Sequence, residues 1–194
     1  MQTSLPDFIS RTSFRLLIND AQENVFSLPA PQLVYYAPEH PLAYQRLAAL
    51  CARTGRLKDA QGFLSTLVRL QPQEPRYGVN LATVLLELKD YPAAICEFER
   101  VLQIDPSQPE ALNNLARFYL TTRKQLPEAL ILSRRLVTSE PTAAHYDLLG
   151  WALYLNGKTN EAFEACNQAV RRDPDNAAYL ERRRRLEQAL GAVR

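Results

Sequence analysis

The chain has 194 residues, of which 46% are apolar and 23% charged; this is ordinary globular usage and excludes a disordered, collagen-like or disulfide-framework protein. By the prior of about 150 residues per domain, it holds one domain or a short run of stacked units rather than a large multidomain machine. Lys and Arg total 23 against 21 Asp and Glu, and the formal net charge of +2 is too small to point to nucleic acid or anionic membrane.

From the N-terminus, Met1 to Asp20 carries Asp7 before its first arginine and has no apolar central run. It does not read as a secretory signal, and cytoplasm is the working compartment. Residues 7–20 read as a helix through Phe8, Phe14, Leu16, Leu17 and Ile18, and Pro29 and Pro31 break the stretch after it. Two readings of residues 1–40 stand. One is a degenerate leading repeat, with Pro31 to Tyr36 as a shortened second helix and Pro38 one period before Pro72. The other is an extended segment, Asn24 to Ala37, lying in a groove as a built-in ligand.

From residue 41 onward the chain repeats itself. Pro38, Pro72, Pro106, Pro141 and Pro174 recur at successive steps of 34, 34, 35 and 33, while Leu47, Leu81, Leu115 and Leu149 hold a constant step of 34. A small residue follows each leucine (Ala48, Ala82, Ala116, Gly150), and Ala60, Ala94, Ala129 and Ala162 each precede the next proline of the series by the same offset. A fixed period of this length marks a stack of like units, with boundaries at about 41–74, 75–108, 109–142 and 143–176. The one-position gain falls between Thr122 and Pro127 and the loss around Thr142, in intervals expected to be turns.

Within a unit the apolar spacing is helical twice over: Tyr44, Leu47, Ala48 and Cys51 share one face, and Leu57, Ala60, Leu64 and Leu67 another. The first helix is expected to stop at Gly55, Lys89, Arg123 and Gly157. Each closing proline ends the second helix, with Asp105 or Asp173 beside it placed to cap. The small residues after the leucines let paired helices approach closely. The last stretch, 177–194, reads as a capping helix with Tyr179, Leu186 and Leu190 turned to the stack and Arg182 to Arg185 in water.

Chemistry is sparse. Cys51, Cys96 and Cys166 are too far apart for a disulfide framework or a zinc pair and are expected to be reduced, buried thiols. His40 and His145 fall in no metal-ligand motif, and no nucleophile with its base can be assembled locally. Gly157-Lys158-Thr159 resembles the end of a phosphate loop, but Ala152 stands where the earlier glycine belongs, and helix precedes it where a strand is needed. No apolar run approaches the roughly 18 residues of a membrane span. The expectation is no catalytic residue, no metal and no cofactor.

Tyr146, Leu149-Gly150, Leu153, Gly157, Ala162, Ala169 and Asp173-Pro174 look like the tetratricopeptide repeat signature, and the resemblance covers about 41–176. It implies an all-α fold: a right-handed solenoid of antiparallel helix pairs with a C-terminal capping helix. Leu64, Ser133 and Cys166 depart from it, standing where the family prefers a large aromatic, as at Phe98, which predicts looser packing there.

The resemblance further implies that the first helix of each repeat lines a concave groove for an extended peptide or partner helix. On this chain the groove-facing set is Gln45, Arg46, Ala49 and Arg53; Arg76, Val79, Asn80 and Thr83; Glu110, Asn113, Asn114, Arg117 and Thr121; and Asp147, Leu148, Trp151 and Tyr154. Asn80 and Asn114 share a repeat position, and an amide offers donor and acceptor to a peptide backbone, although asparagines on an exposed face also simply face water. Arg46, Arg53, Arg76 and Arg117 favour an acidic ligand. Trp151 with Leu148 and Tyr154 is either an exposed anchor or packing between the last repeat and the cap. Members that grip acidic chaperone tails need basic residues and asparagines where this chain has Gln45, Ala49, Asn80, Glu110 and Asn114; only Asn80 fits.

These readings lead to a non-enzymatic protein-interaction scaffold that binds a partner peptide or helix, with nucleic acid not expected and no membrane span. The alternatives are an assembly factor or chaperone for a secretion or surface-appendage system, and an RNA-binding repeat array that uses the arginines.

Overall fold

A computed structural model of the protein describes residues 40–191. Among them every regular element is a helix: α1 (Pro41–Arg53), α2 (Leu57–Leu70), α3 (Pro75–Glu87), α4 (Tyr91–Ile104), α5 (Pro109–Thr122), α6 (Leu126–Ser139), α7 (Ala143–Leu155), α8 (Thr159–Arg172) and α9 (Ala177–Gly191). The fold is all-α, a solenoid of the tetratricopeptide type, as the family resemblance implies. The readings of residues 1–39, both the degenerate repeat and the groove-filling segment, lie outside the described residues.

The first helix of each pair starts by one device that recurs once per repeat. His40, Glu74, Gln108 and Thr142 are the N-caps of α1, α3, α5 and α7, and each side chain accepts a backbone N–H, from Leu42, Arg76, Ala111 and His145. Asn176 repeats the step one period later, accepting from Ala178 N at 3.2 Å. Five residue types thus do one job: meet a donor that the helix itself leaves orphaned. Pro41, Pro75 and Pro109 follow three of these caps, at the position where no intrahelical bond is lost with the missing N–H. Asp105 does not serve as the cap of α5. Its carboxylate is taken by Ser107, N at 3.0 Å and Oγ at 2.9 Å, in the turn before Gln108.

The pairs close through left-handed residues at the expected places. Gly55, Lys89, Arg123 and Gly157 have φ of 74°, 63°, 53° and 76°, and each stands one full period from the next. The residue gained in the third repeat adds a second left-handed position, Gln125 at φ 49°, and α5 has 14 residues where α1, α3 and α7 have 13.

The chain divides after Ala94 into two compact units. In the first, α1 packs on α2 and α2 on α3, around Ala48, Cys51, Leu64, Leu67, Tyr77 and Leu81. In the second, α5 packs on α6, α6 on α7, α7 on α8 and α8 on α9. Leu153, Ala162, Cys166 and Leu186 form the core where α7, α8 and α9 meet. Arginines tie this unit to its own turns: Arg135 donates to the Pro106 carbonyl, and Arg172 Nε to the Pro141 carbonyl at 2.9 Å, with its guanidinium 4.2 Å above the Tyr146 ring.

Two packing expectations need correction. Leu64, Ser133 and Cys166 are 5%, 0% and 1% exposed, so the non-aromatic positions are as closed as Phe98 at 0%. Ser133 fits because its hydroxyl donates to the Ala129 carbonyl at 2.7 Å, and Cys166 because Gly150 stands opposite it. Of the three thiols Cys51 and Cys166 are buried, while Cys96 is exposed. No helix among the described residues is long and apolar enough to cross a membrane.

Candidate partner-binding site

In the first unit, α1 and α3 are successive first helices, and between them opens a cleft of about 480 Å³. Ala48, Leu64, Leu67 and Val84 supply its apolar side, and Gln45, Arg76, Asn80 and Glu87 its polar side. The alanines at positions 48, 49 and 52 create the space, because a longer side chain there would fill it. Gln45 is held in place: its amide donates to the Tyr77 hydroxyl, and Tyr77 is itself buried. Asn80 is exposed on the α3 wall. Arg76 is exposed but engaged, its Nε donating to Glu74 Oε1 at 2.9 Å. The guanidinium holds the Glu74 carboxyl below its ordinary range, and the carboxylate raises Arg76 in turn. Arg46 and Arg53 are exposed on α1.

In the second unit, Arg117 is exposed on α5, and Asn113 and Asn114 are half-buried beside each other, the first donating to the second at 3.2 Å. Part of their amide capacity is therefore taken up locally. Tyr154 is exposed on α7, and Trp151 is half-buried on the side of α7 that meets α9.

Three expected groove residues are placed otherwise. Val79 and Leu148 are 7% and 3% exposed; as apolar residues beside the helix contacts they are drawn into the core. Asp147 is not presented to a ligand but forms an ion pair with Arg182 of α9, which in turn removes Arg182 from the solvated set. Burial pushes the Asp147 carboxyl above its ordinary value, and the charges of Arg182 and Arg117 oppose that rise. Its Oδ1 is buried and has no hydrogen-bond partner. Arg185 is likewise engaged, Nε donating to Glu181 at 2.8 Å.

The floor residues Leu64 and Leu67 and the wall residue Glu87 belong to the cleft and were missing from the sequence-based set. Leu64 and Leu67 come from a second helix, whereas the expectation used first helices alone; their apolar spacing identified them as core but not as floor. Among the described residues no group of His, Cys, Asp and Glu could hold a metal.

Comparison with known proteins places this geometry in a family. Two tetratricopeptide repeat models match, over residues 85–152 and 134–177. Cellulose synthase operon protein C of Pseudomonas fluorescens (strain SBW25) is 28% identical over 99 residues, which is 51% of this chain and 8% of that protein. The chain therefore spans less than a tenth of the length of that curated relative. Among solved structures, MamA (residue 41 to the end) from Desulfovibrio magneticus RS-1 superposes with a TM-score of 0.67 at 23% identity, over 79% of this chain and 92% of that one. YrrB, described as a TPR protein with an unusual peptide-binding site, gives 0.66 at 17% identity over 88% of each chain. With the constant repeat register, the repeated caps and the paired helices, these matches show tetratricopeptide repeats over residues 85–177 of the chain.

Proposed function

We propose that this chain is a non-catalytic scaffold for protein–protein interaction, and that the cleft between α1 and α3 receives an extended segment of the partner. The observation that carries this reading is a cleft with an apolar floor, Ala48, Leu64 and Leu67, between side-chain amides at Gln45 and Asn80. An extended peptide places a side chain on such a floor and offers its backbone to the amides, which need no particular sequence. Arg46 and Arg53 lie exposed on the same helix as Gln45 and favour acidic groups flanking that segment. In the second unit Asn113, Asn114 and Arg117 repeat the chemistry on α5, while Asp147 serves structure rather than binding. Trp151 and Tyr154 supply the apolar anchor on α7.

The test is selection from a random-peptide library on the wild-type chain, followed by anisotropy titration of the selected peptides. Asn80→Ala is expected to weaken them by about tenfold, equal to about 1.4 kcal/mol. Ala49→Trp, which fills the cleft from an exposed position, is expected to abolish binding. Peptides that bind both variants as tightly as wild type would place the working surface elsewhere.

A second reading is an assembly factor holding one dedicated client. It draws on the match with cellulose synthase operon protein C, so the client would be a product of such an operon. Stoichiometric co-purification with a single protein supports this reading, and exchangeable weak partners support the first.

A further inference from the structure

The repeat register continues beyond the fourth pair. Asn176 caps α9 as His40, Glu74, Gln108 and Thr142 cap the earlier first helices, so α9 stands where the first helix of a following pair would stand. Its chemistry differs. The position of Asn80 and Asn114 is Leu148 in α7 and Arg182 in α9, and that of Thr83 and Arg117 is Trp151 and then Arg185. Between α7 and α9 lies a cavity of about 320 Å³; Gly150, Trp151, Tyr154, Arg182, Arg185 and Leu186 in its lining are register-equivalents of residues that line the first unit's cleft, and Arg123 and Leu155 are additional. An amide-lined site in one unit has an aromatic and arginine-lined counterpart in the other.

Trp151 and Leu155 line the α7 side of this cavity, Leu186 the α9 side, and Gly150 contributes no side chain. Tyr154 stands at the edge, 49% exposed, a large aromatic left partly in water beside an apolar hollow. Arg123, Arg182 and Arg185 bring guanidinium groups to the lining. Asp147 and Glu181 hold Arg182 and Arg185 in place. Among the described residues Arg123 has no carboxylate partner. Three guanidinium groups against two carboxylates leave the hollow net positive, and each held arginine keeps N–H donors beyond those its carboxylate uses.

We propose that this cavity is a second binding site, for an acidic peptide segment that seats one aromatic or large aliphatic side chain against Trp151 and lays flanking carboxylates on Arg123 and Arg185. A volume of about 320 Å³ suits one side chain, and the aliphatic lining of Leu155 and Leu186 suits an apolar one. The planar guanidinium fork matches a carboxylate bidentately. A nucleic-acid strand fits less well: the net charge of the hollow is small, because Asp147 and Glu181 offset two of its three guanidinium groups. The site takes up the α7 anchor of the proposed function and rests on that reading there, but it does not depend on the cleft of the first unit.

Trp151 is the chain's only tryptophan, so its emission reports on this cavity directly. The full chain is titrated with the acetylated, amidated pentapeptide Glu-Glu-Phe-Asp-Glu, with its Gln-Gln-Phe-Asn-Gln and Glu-Glu-Ala-Asp-Glu counterparts, and with a ten-nucleotide polyuridine. A saturable change in emission is expected with the first peptide, at least tenfold weaker with either counterpart, and at least tenfold weaker in Arg123→Gln/Arg185→Gln. That double variant touches an exposed turn and an exposed helix position, and its melting curve confirms that it folds. No saturable response overturns the proposal, as does an equal response to the acidic and the neutral peptide, or one unchanged in the double variant. Tighter binding of polyuridine than of the acidic peptide also overturns it, in favour of a nucleic-acid site.

Discussion

Gly150 and Cys166 face each other across α7 and α8: a β-carbon built on Gly150 would lie 2.8 Å from the Cys166 sulfur and 3.4 Å from the Ala162 carbonyl oxygen. The positions one and two repeats earlier in the register, such as Ala82 for Gly150 and Phe98 for Cys166, hold other residue types in the sequence. Gly150→Ala is expected to cost about 1 to 3 kcal/mol by overpacking, although alanine is the better helix former by about 1 kcal/mol. Gly150→Ala/Cys166→Ala, in which the new methyl takes the place of the sulfur, is expected to recover part of the loss. Urea denaturation of the four chains of this cycle measures the coupling; strictly additive effects would show that the two residues do not share the space.

The Asp147 carboxyl titrates above its ordinary value because burial outweighs the attraction of Arg182. A carboxyl raised in the folded state binds its proton there before the unfolded chain does, so the folded state gains stability as pH falls through the folded value toward the unfolded one. Compared with Asp147→Asn, the wild type is expected to gain stability between pH 7 and about pH 4. Urea midpoints of both chains across that range check it, and a difference that shrinks on acidification would contradict it. At neutral pH Arg182→Ala leaves the carboxylate buried without its partner and is expected to lose about 1 to 3 kcal/mol, most of it regained in Asp147→Asn/Arg182→Ala.

Gln108 caps α5 through its Oε1, which accepts from Ala111 N at 2.7 Å, and it is 8% exposed. Gln108→Ala leaves that N–H without a partner in a site water reaches poorly. A loss of about 0.5 to 2 kcal/mol is expected in thermal denaturation, with Gln108→Asp retaining more of the stability than the alanine variant.

The four left-handed positions that close the first helices carry two glycines and two long cations, so the same exchange has opposite signs at equivalent places. Gly55→Ala and Gly157→Ala are each expected to destabilise by about 1 kcal/mol, since an L side chain is strained at that φ. Lys89→Gly is expected to be neutral or stabilising by up to about 1 kcal/mol, the relief being offset by the freer unfolded chain. Melting temperatures of the three variants decide this.

Burial, with the Asp147 charge adding to it, pushes the Cys166 thiol up to about 11, and Cys51 is fully enclosed. At pH 7.5 one of the three thiols is expected to react quickly with Ellman's reagent, and Cys96→Ala removes that fast phase. Two or more fast thiols in the folded chain would mean that α2 or α8 opens readily.

The repeat period, the pairing of helices within a repeat, the turns at Gly55, Lys89, Arg123 and Gly157, and the small residues after the repeated leucines could be read from the chain. They rest on local chemistry: apolar spacing at the helical period and breakers at fixed offsets act within one helix pair. The N-caps were not legible, because histidine, glutamate, glutamine, threonine and asparagine share no signature; only their common position before a helix start reveals the shared role. The candidate site was legible in part. Gln45 and Asn80 stand on the cleft as the register placed them, but Leu64 and Leu67 joined it from a second helix, while Val79 and Leu148 turned inward. Asp147 and Arg182 belong to different helices, a whole repeat apart in the chain, and each alone reads as a solvated charge. Whether a side chain faces water, core or partner depends on the depth and tilt with which the next helix packs, and those follow from the summed volumes of residues on several helices, a quantity that exists only once the chain has folded.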